Sequence, residues 1–114
     1  MVDSILTSIK KLLGLAEDYT QFDQDIIMHI NSVFMSLTQL GIGPVNGFAV
    51  TDAEDIWEDF ISPTANLEAV KSYTYLRVRL LFDPPQHAYL IDALNSQCNE
   101  LAWRLTVQAE GSSA

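Results

Sequence analysis

Three side chains in this sequence have the chemistry to ligate a soft metal or to act as a nucleophile: Cys98, His29 and His87. A zinc or iron site gathers several thiolate or imidazole ligands at short, regular spacings. No two of these three stand at such a spacing, so neither a metal centre nor a cofactor is expected. Cys98 falls on the apolar stripe of a late helix and reads as a core thiol. His29 flanks another apolar stripe, which suits a structural role. His87 follows a double proline and reads as a solvated first-turn residue.

Paired carboxylates are the other chemistry on offer. Glu54 and Glu58, like Asp55 and Asp59, stand at i,i+4 on a short helical stretch. Catalysis by two carboxylates needs them to flank a cleft in contrasting environments. Here like charges line one face and repel by roughly 0.2–0.5 kcal/mol per pair. That face is either solvated or set against something specific. The chain has no glycine-rich phosphate loop, no calcium loop and no meaningful Ser-His-Asp order. No catalytic residue is therefore assigned, and an enzyme is not expected.

Charge is more informative than any motif. From Leu12 to Val70 there is no Lys or Arg, yet the stretch carries ten carboxylates. Basic residues are confined to Lys10 and Lys11 before it, and to Lys71, Arg77, Arg79 and Arg104 after it. The net charge is -9, beside 48% hydrophobic residues, so acidity here does not signal disorder. Such a surface repels nucleic-acid phosphates and anionic lipid and attracts basic protein patches. It also repels its own copies, unless the acidic face of one meets the basic face of another.

At 114 residues the chain reads as one domain over residues 1–109, with 110–114 as a flexible tail. A single cysteine gives no internal disulfide and fits a reducing compartment. The start lacks a secretory pattern, and no apolar run is long enough to span a bilayer. A soluble protein made inside the cell is expected.

The apolar periodicity indicates an all-α bundle of four to five helices. Asp3 or Ser4 caps a first helix that ends at Gly14, with Lys10 and Lys11 favouring its dipole. A second helix opens after Thr20, in an arrangement close to a capping box with Asp23, and stops at Gly41. Its stripe is Phe22, Ile26, Ile30, Val33, Phe34, Leu37 and Leu40. Gly43-Pro44 and Asn46-Gly47 then indicate a projecting loop or small hairpin over Ile42–Val50. Thr51 and Glu54 form a capping box for a third helix through Phe60, ended by Ser62-Pro63. A fourth, from Leu67 to Phe82, is apolar on most sides and belongs at the centre. Asp83-Pro84-Pro85 restarts the chain into a fifth helix, Gln86 to Gln108, with Leu90, Leu94, Cys98, Leu101 and Leu105 as its stripe.

Trp57, Phe48 and Phe60 cluster around the loop and the short third helix. Each is either core or an anchor in a protein interface. Arg77 and Arg79 likewise pair with the chain's own acids or with those of a neighbour.

Several runs carry a resemblance. They are Ile5-Leu6-Thr7-Ser8-Ile9-Lys10-Lys11-Leu12-Leu13-Gly14-Leu15, then Asp25-Ile26-Ile27-Met28-His29-Ile30-Asn31, continuing to Gln39-Leu40-Gly41-Ile42-Gly43-Pro44. The strongest is Leu67 to Pro85, containing Tyr73-Thr74-Tyr75-Leu76-Arg77-Val78-Arg79, and a late Trp103-Arg104-Leu105 completes the set. In order and spacing they resemble the head–tail connector (adaptor, or head-completion) proteins of long-tailed double-stranded DNA phages. The resemblance implies a non-enzymatic helical subunit in the virion neck, made in the bacterial cytoplasm. It implies a homo-oligomeric ring of roughly a dozen copies, which closes by a head-to-tail contact. Such a ring docks on the portal protein, extends the DNA channel and receives a stopper or tail-completion protein. DNA passes without specific binding, and no membrane is involved.

On this reading Asn46, Phe48, Trp57, Glu58, Asp59, Arg77, Arg79, Trp103 and Arg104 are the interface candidates, and Glu54 and Asp55 the candidates to face the channel. The alternative is a monomeric acidic helical adaptor, or a DNA mimic, that captures a basic protein partner.

Overall fold

The computed structural model describes residues 4–44, 46–61 and 67–112. They form five helices: α1 Ile5–Leu12, α2 Asp23–Gln39, α3 Trp57–Phe60, α4 Leu67–Phe82 and α5 Ala88–Ser112. The fold is an all-α bundle. The expected bounds of the fourth helix coincide with α4, and the fifth begins two residues later than expected. Asp3, Val45 and the stretch from Ser62 to Asn66 lie outside the described residues, as do Ser113 and Ala114. Of the expected tail, 110–112 continue α5 instead.

Capping explains where the first helix begins and where the first two end. The Ser4 hydroxyl accepts from the Thr7 amide at 3.2 Å, which satisfies an orphan donor of α1. At the end of α2 the Ile42 amide donates to the Leu37 carbonyl and the Gly41 amide to that of Thr38. This pair of bonds needs a left-handed residue, and Gly41 supplies it with φ +90°. The same pair closes α1 at Gly14. The start of α2 differs from expectation. Its N-cap is Phe22, with no side-chain cap, and Asp23 is drawn instead towards Lys10.

α4 is the central helix, packed against α2 on one side and α5 on another, with α1 across both α2 and α4. The core lies where α1, α2 and α4 meet, and holds Ile5, Ile9, Ile26, Ile30, Phe34, Leu37, Val70 and Val78. Burial of each such side chain contributes about 1.5–3 kcal/mol, which is what holds helices this short. α5 is different. It is the longest element, yet among its described side chains only Cys98 and Leu105 are buried, and Leu90 of its expected stripe is exposed.

Candidate functional site

The loop that follows α2 is tied back to that helix at Val50. Asn31 on α2 donates from its amide to the Val50 carbonyl at 3.0 Å and accepts from the Val50 amide at 2.6 Å. One side chain thus replaces the hairpin partner expected for this stretch, and no strand forms among the described residues. Ile42 and Val50 are buried, and Gly47 closes a turn onto the Pro44 carbonyl at 2.9 Å. Gly43 has φ +86°, and a Cβ there would lie 2.6 Å from the Phe60 ring. The loop passes against that ring only because the residue is glycine.

The third helix is a single turn. The expected Thr51–Glu54 capping box does not form. The Asp55 carboxylate instead accepts from the Thr51 amide at 2.7 Å, the Thr51 hydroxyl at 3.1 Å and the Asp52 amide at 3.3 Å. These bonds, the Thr51 amide first, hold its pKa below the usual carboxylate value, against the opposing pull of burial. Asp55 is therefore engaged within its own loop through one carboxylate oxygen, Oδ2. Glu54 is exposed, with its amide bonded to Asp52.

Trp57 is fully buried, and its indole nitrogen donates to the Ser8 hydroxyl at 2.8 Å. As a candidate contact for a neighbour it is corrected: it is core, with no surface to present. Phe34 is the hub of the aromatic cluster around it, stacked on Phe60 at 4.0 Å between centroids and edge-on to Trp57 at 6.0 Å. Phe48 packs on the same two phenylalanines and is half-buried. Asn46 is exposed, at the rim of a groove shared with Met35, Thr38, Gln39 and Phe48. Glu58 and Asp59 point outward between the buried anchors Trp57 and Phe60.

The remaining candidates sit on the opposite side of α4 or along α5. Arg79 donates to the Tyr75 hydroxyl at 3.3 Å. Arg104 pairs with Glu100 one turn away at 2.7 Å, both exposed. Trp103 is 67% exposed, far more than a core tryptophan. A groove of about 500 Å³ runs between α4 and α5, lined by Tyr75, Leu76, Gln97, Leu101 and Arg104. The candidates thus fall on two separate surfaces: the loop with α3, and the α4–α5 face.

Neither histidine joins a ligand set. His29 lies edge-on to Phe82 and His87 is exposed beside Tyr89. Among the described residues no group of His, Cys, Asp and Glu is placed to hold a metal ion. Cys98 is buried, and burial pushes its thiol above the ordinary value despite the counter-effect of Arg77. It is a protonated core thiol at neutral pH. No described helix is long and apolar enough to cross a membrane.

Some residues were not singled out in the sequence. Lys10, expected only to favour a helix dipole, is buried against Asp23 at 2.9 Å and donates to the Glu17 carbonyl at 2.9 Å. Its approach to Asp23 lies off the hydrogen-bonding direction, so that contact is ionic. Met28 and Met35, both 65% exposed, stand seven apart on the outer face of α2. Their displacement from the apolar stripe was the available signal. Tyr89 and Val107 are exposed on α5 with Trp103.

Separate candidate surfaces on a helical scaffold suit a part of an assembly. No curated protein and no solved structure gave a match. A family model described as phage connector protein matches residues 5–112. The chain belongs to the phage connector protein family, whose members join the head and tail parts of the virion.

Proposed function

We propose that this chain is the ring-forming subunit of a phage neck. Copies close head to tail beneath the portal protein, extend the DNA channel and present a seat for a stopper or tail-completion protein. The observation that carries this reading is α5. A helix of 25 residues packs mainly on α4 and leaves Tyr89, Trp103 and Val107 in water. Those three lie at i, i+14 and i+18, close to one line along a helix. A face of this kind is stable in a subunit whose neighbour covers it.

Charge supports the same reading. The loop and α3 carry Asp52, Glu54, Glu58 and Asp59 outward, while the exposed cations, Lys11 and Arg104, lie on α1 and α5, and α4 carries the half-buried Lys71, Arg77 and Arg79. A heterologous contact brings unlike patches together, which offsets the repulsion expected of copies that each carry -9. Duplex DNA slides past an acidic lumen without capture, because phosphate binding needs clustered Lys and Arg.

Native mass spectrometry of the chain with its portal protein tests the proposal. A closed multimer of the chain on the portal is the expected result. A stable one-to-one complex with a basic protein would favour the monomeric adaptor instead.

A further inference from the structure

The six basic residues differ in what holds them. Lys10 is taken by Asp23 and the Glu17 carbonyl, Arg79 by the Tyr75 hydroxyl and Arg104 by Glu100. Lys71 lies 5.9 Å from the centre of the Trp57 ring and 3.9 Å from Glu68. Lys11 is exposed to water.

Arg77 fits none of these cases. It is half-buried on α4, one turn after Tyr73, and close enough to the Tyr73 hydroxyl and the Cys98 thiol to act electrostatically on both. Its Nε is buried with no acceptor, and among the described residues no carboxylate lies within ion-pairing distance. Its terminal N–H groups are not buried and have no acceptor among the described residues, so a guanidinium half withdrawn from water gains when a charged acceptor reaches them. Its planar fork matches the two oxygens of a carboxylate or a phosphate.

We infer that Arg77 receives a carboxylate from the Glu58–Asp59 edge of the adjacent copy. This rests on the ring reading and names its contact. Glu58 and Asp59 are exposed and have no bond of their own among the described residues. They are also held rigidly, because Trp57 and Phe60 anchor α3 on either side of them. Asp55, by contrast, already holds its own loop through Oδ2. The two patches occupy different faces of α4. Lys71 marks the α3 side through Trp57, and Arg77, six residues later, points about 120° away round the helix. That separation is what a head-to-tail contact needs. A DNA phosphate is the less suitable occupant, since one half-buried arginine on a chain of charge -9 cannot grip a duplex.

The test is a charge exchange, read by native mass spectrometry with and without the portal and by thermal melts of each variant. Arg77→Glu is expected to lower the ring fraction at least tenfold while the melt of the isolated chain holds. The E58K/D59K pair is expected to do the same, and R77E/E58K/D59K to restore rings. Arg77→Met guards against a folding defect: it removes the charge without adding another, and it too should lose rings while folded. Rings that survive R77E and R77M overturn the inference and leave the connector reading standing. So does a failure of the triple variant to recover them, or loss of duplex DNA retention as the only effect of R77E. A wild-type chain that stays monomeric even on the portal overturns the connector reading itself, and this contact with it.

Discussion

The indole of Trp57 donates to the hydroxyl of Ser8 across 49 positions of sequence, and so fixes the one-turn α3 to the first helix. A second tie runs alongside it: the Ile5 amide donates to the Asp55 carbonyl at 3.0 Å, and Ser4 bridges to Ile56. The acidic edge of Glu58 and Asp59 is thereby carried on the core, not on a loose loop. Replacing Trp57 by Ala should cost about 3–5 kcal/mol in urea unfolding. Replacing it by Phe, which keeps the bulk but not the donor, should cost about 1 kcal/mol. A Trp57→Ala chain that unfolds at the wild-type midpoint would show that the side chain is not core.

Asn31 holds both polar groups of Val50, so its removal leaves a backbone donor and acceptor half-buried and unpaired. Asn31→Ala should destabilise by about 1–3 kcal/mol and speed hydrogen exchange at the Val50 amide well before other core amides respond. Unchanged exchange at Val50 would mean that the loop is held by its apolar contacts alone.

Asp55 gives the fold a defined response to acid. Its carboxyl is held below the ordinary value, so the stability it contributes is present above the unfolded pKa of about 3.9 and disappears as pH falls through the folded value. Asp55→Asn should therefore be less stable than wild type at pH 7, by about 1 kcal/mol, with the gap closing below about pH 4. Denaturation midpoints between pH 7 and pH 3 check this, and a gap that is constant with pH contradicts it.

Lys10 and Asp23 join α1 to the start of α2 through a largely buried charge pair. Removing only the lysine, as in Lys10→Met, strands a carboxylate and should cost about 3 kcal/mol, while K10M/D23L should recover most of the loss. Equal destabilisation by the single and double variants would show that packing of the lysine stem dominates.

Trp103 should behave in the opposite way to Trp57. It is exposed in the subunit, so Trp103→Ala should change folding stability by less than about 0.5 kcal/mol. It should nonetheless reduce the yield of virions with tails attached, measured by electron microscopy of particles grown with the variant as the only copy. Full tail attachment would remove α5 from the assembly surface at this position.

The bundle was legible in the sequence because helical periodicity and glycine stops are local signals. Ile26, Ile30, Phe34 and Leu37 announce one buried face, and Gly41 ends the helix for a reason that needs no tertiary information. What failed was non-local. Asn46-Gly47 is a genuine turn signal, but whether a hairpin forms depended on Asn31, fifteen residues earlier, supplying both bonds that a partner strand would have made. Thr51 and Glu54 have the spacing of a capping box, yet Asp55 outcompeted them with a carboxylate that reaches two amides and a hydroxyl.

The two tryptophans separate the same way. Aromatic clustering around α3 suggested an exposed anchor at Trp57, but Ser8 and Phe34 enclose it. Trp103 lies on a helix whose stripe looks complete, and its exposure follows from α5 packing mainly against α4. Charge segregation is readable from the order of residues alone. That Arg77 is the cation left with an unanswered donor required the arrangement of every other acid.

Cryo-electron microscopy of the neck in intact virions bears most closely on the idea that these surfaces exist to meet sister copies. The expected density is a closed ring of this chain between portal and tail, with the Glu58–Asp59 edge of each copy against Arg77 of the next. Single copies attached to another protein, with no annular arrangement around the DNA, would contradict it.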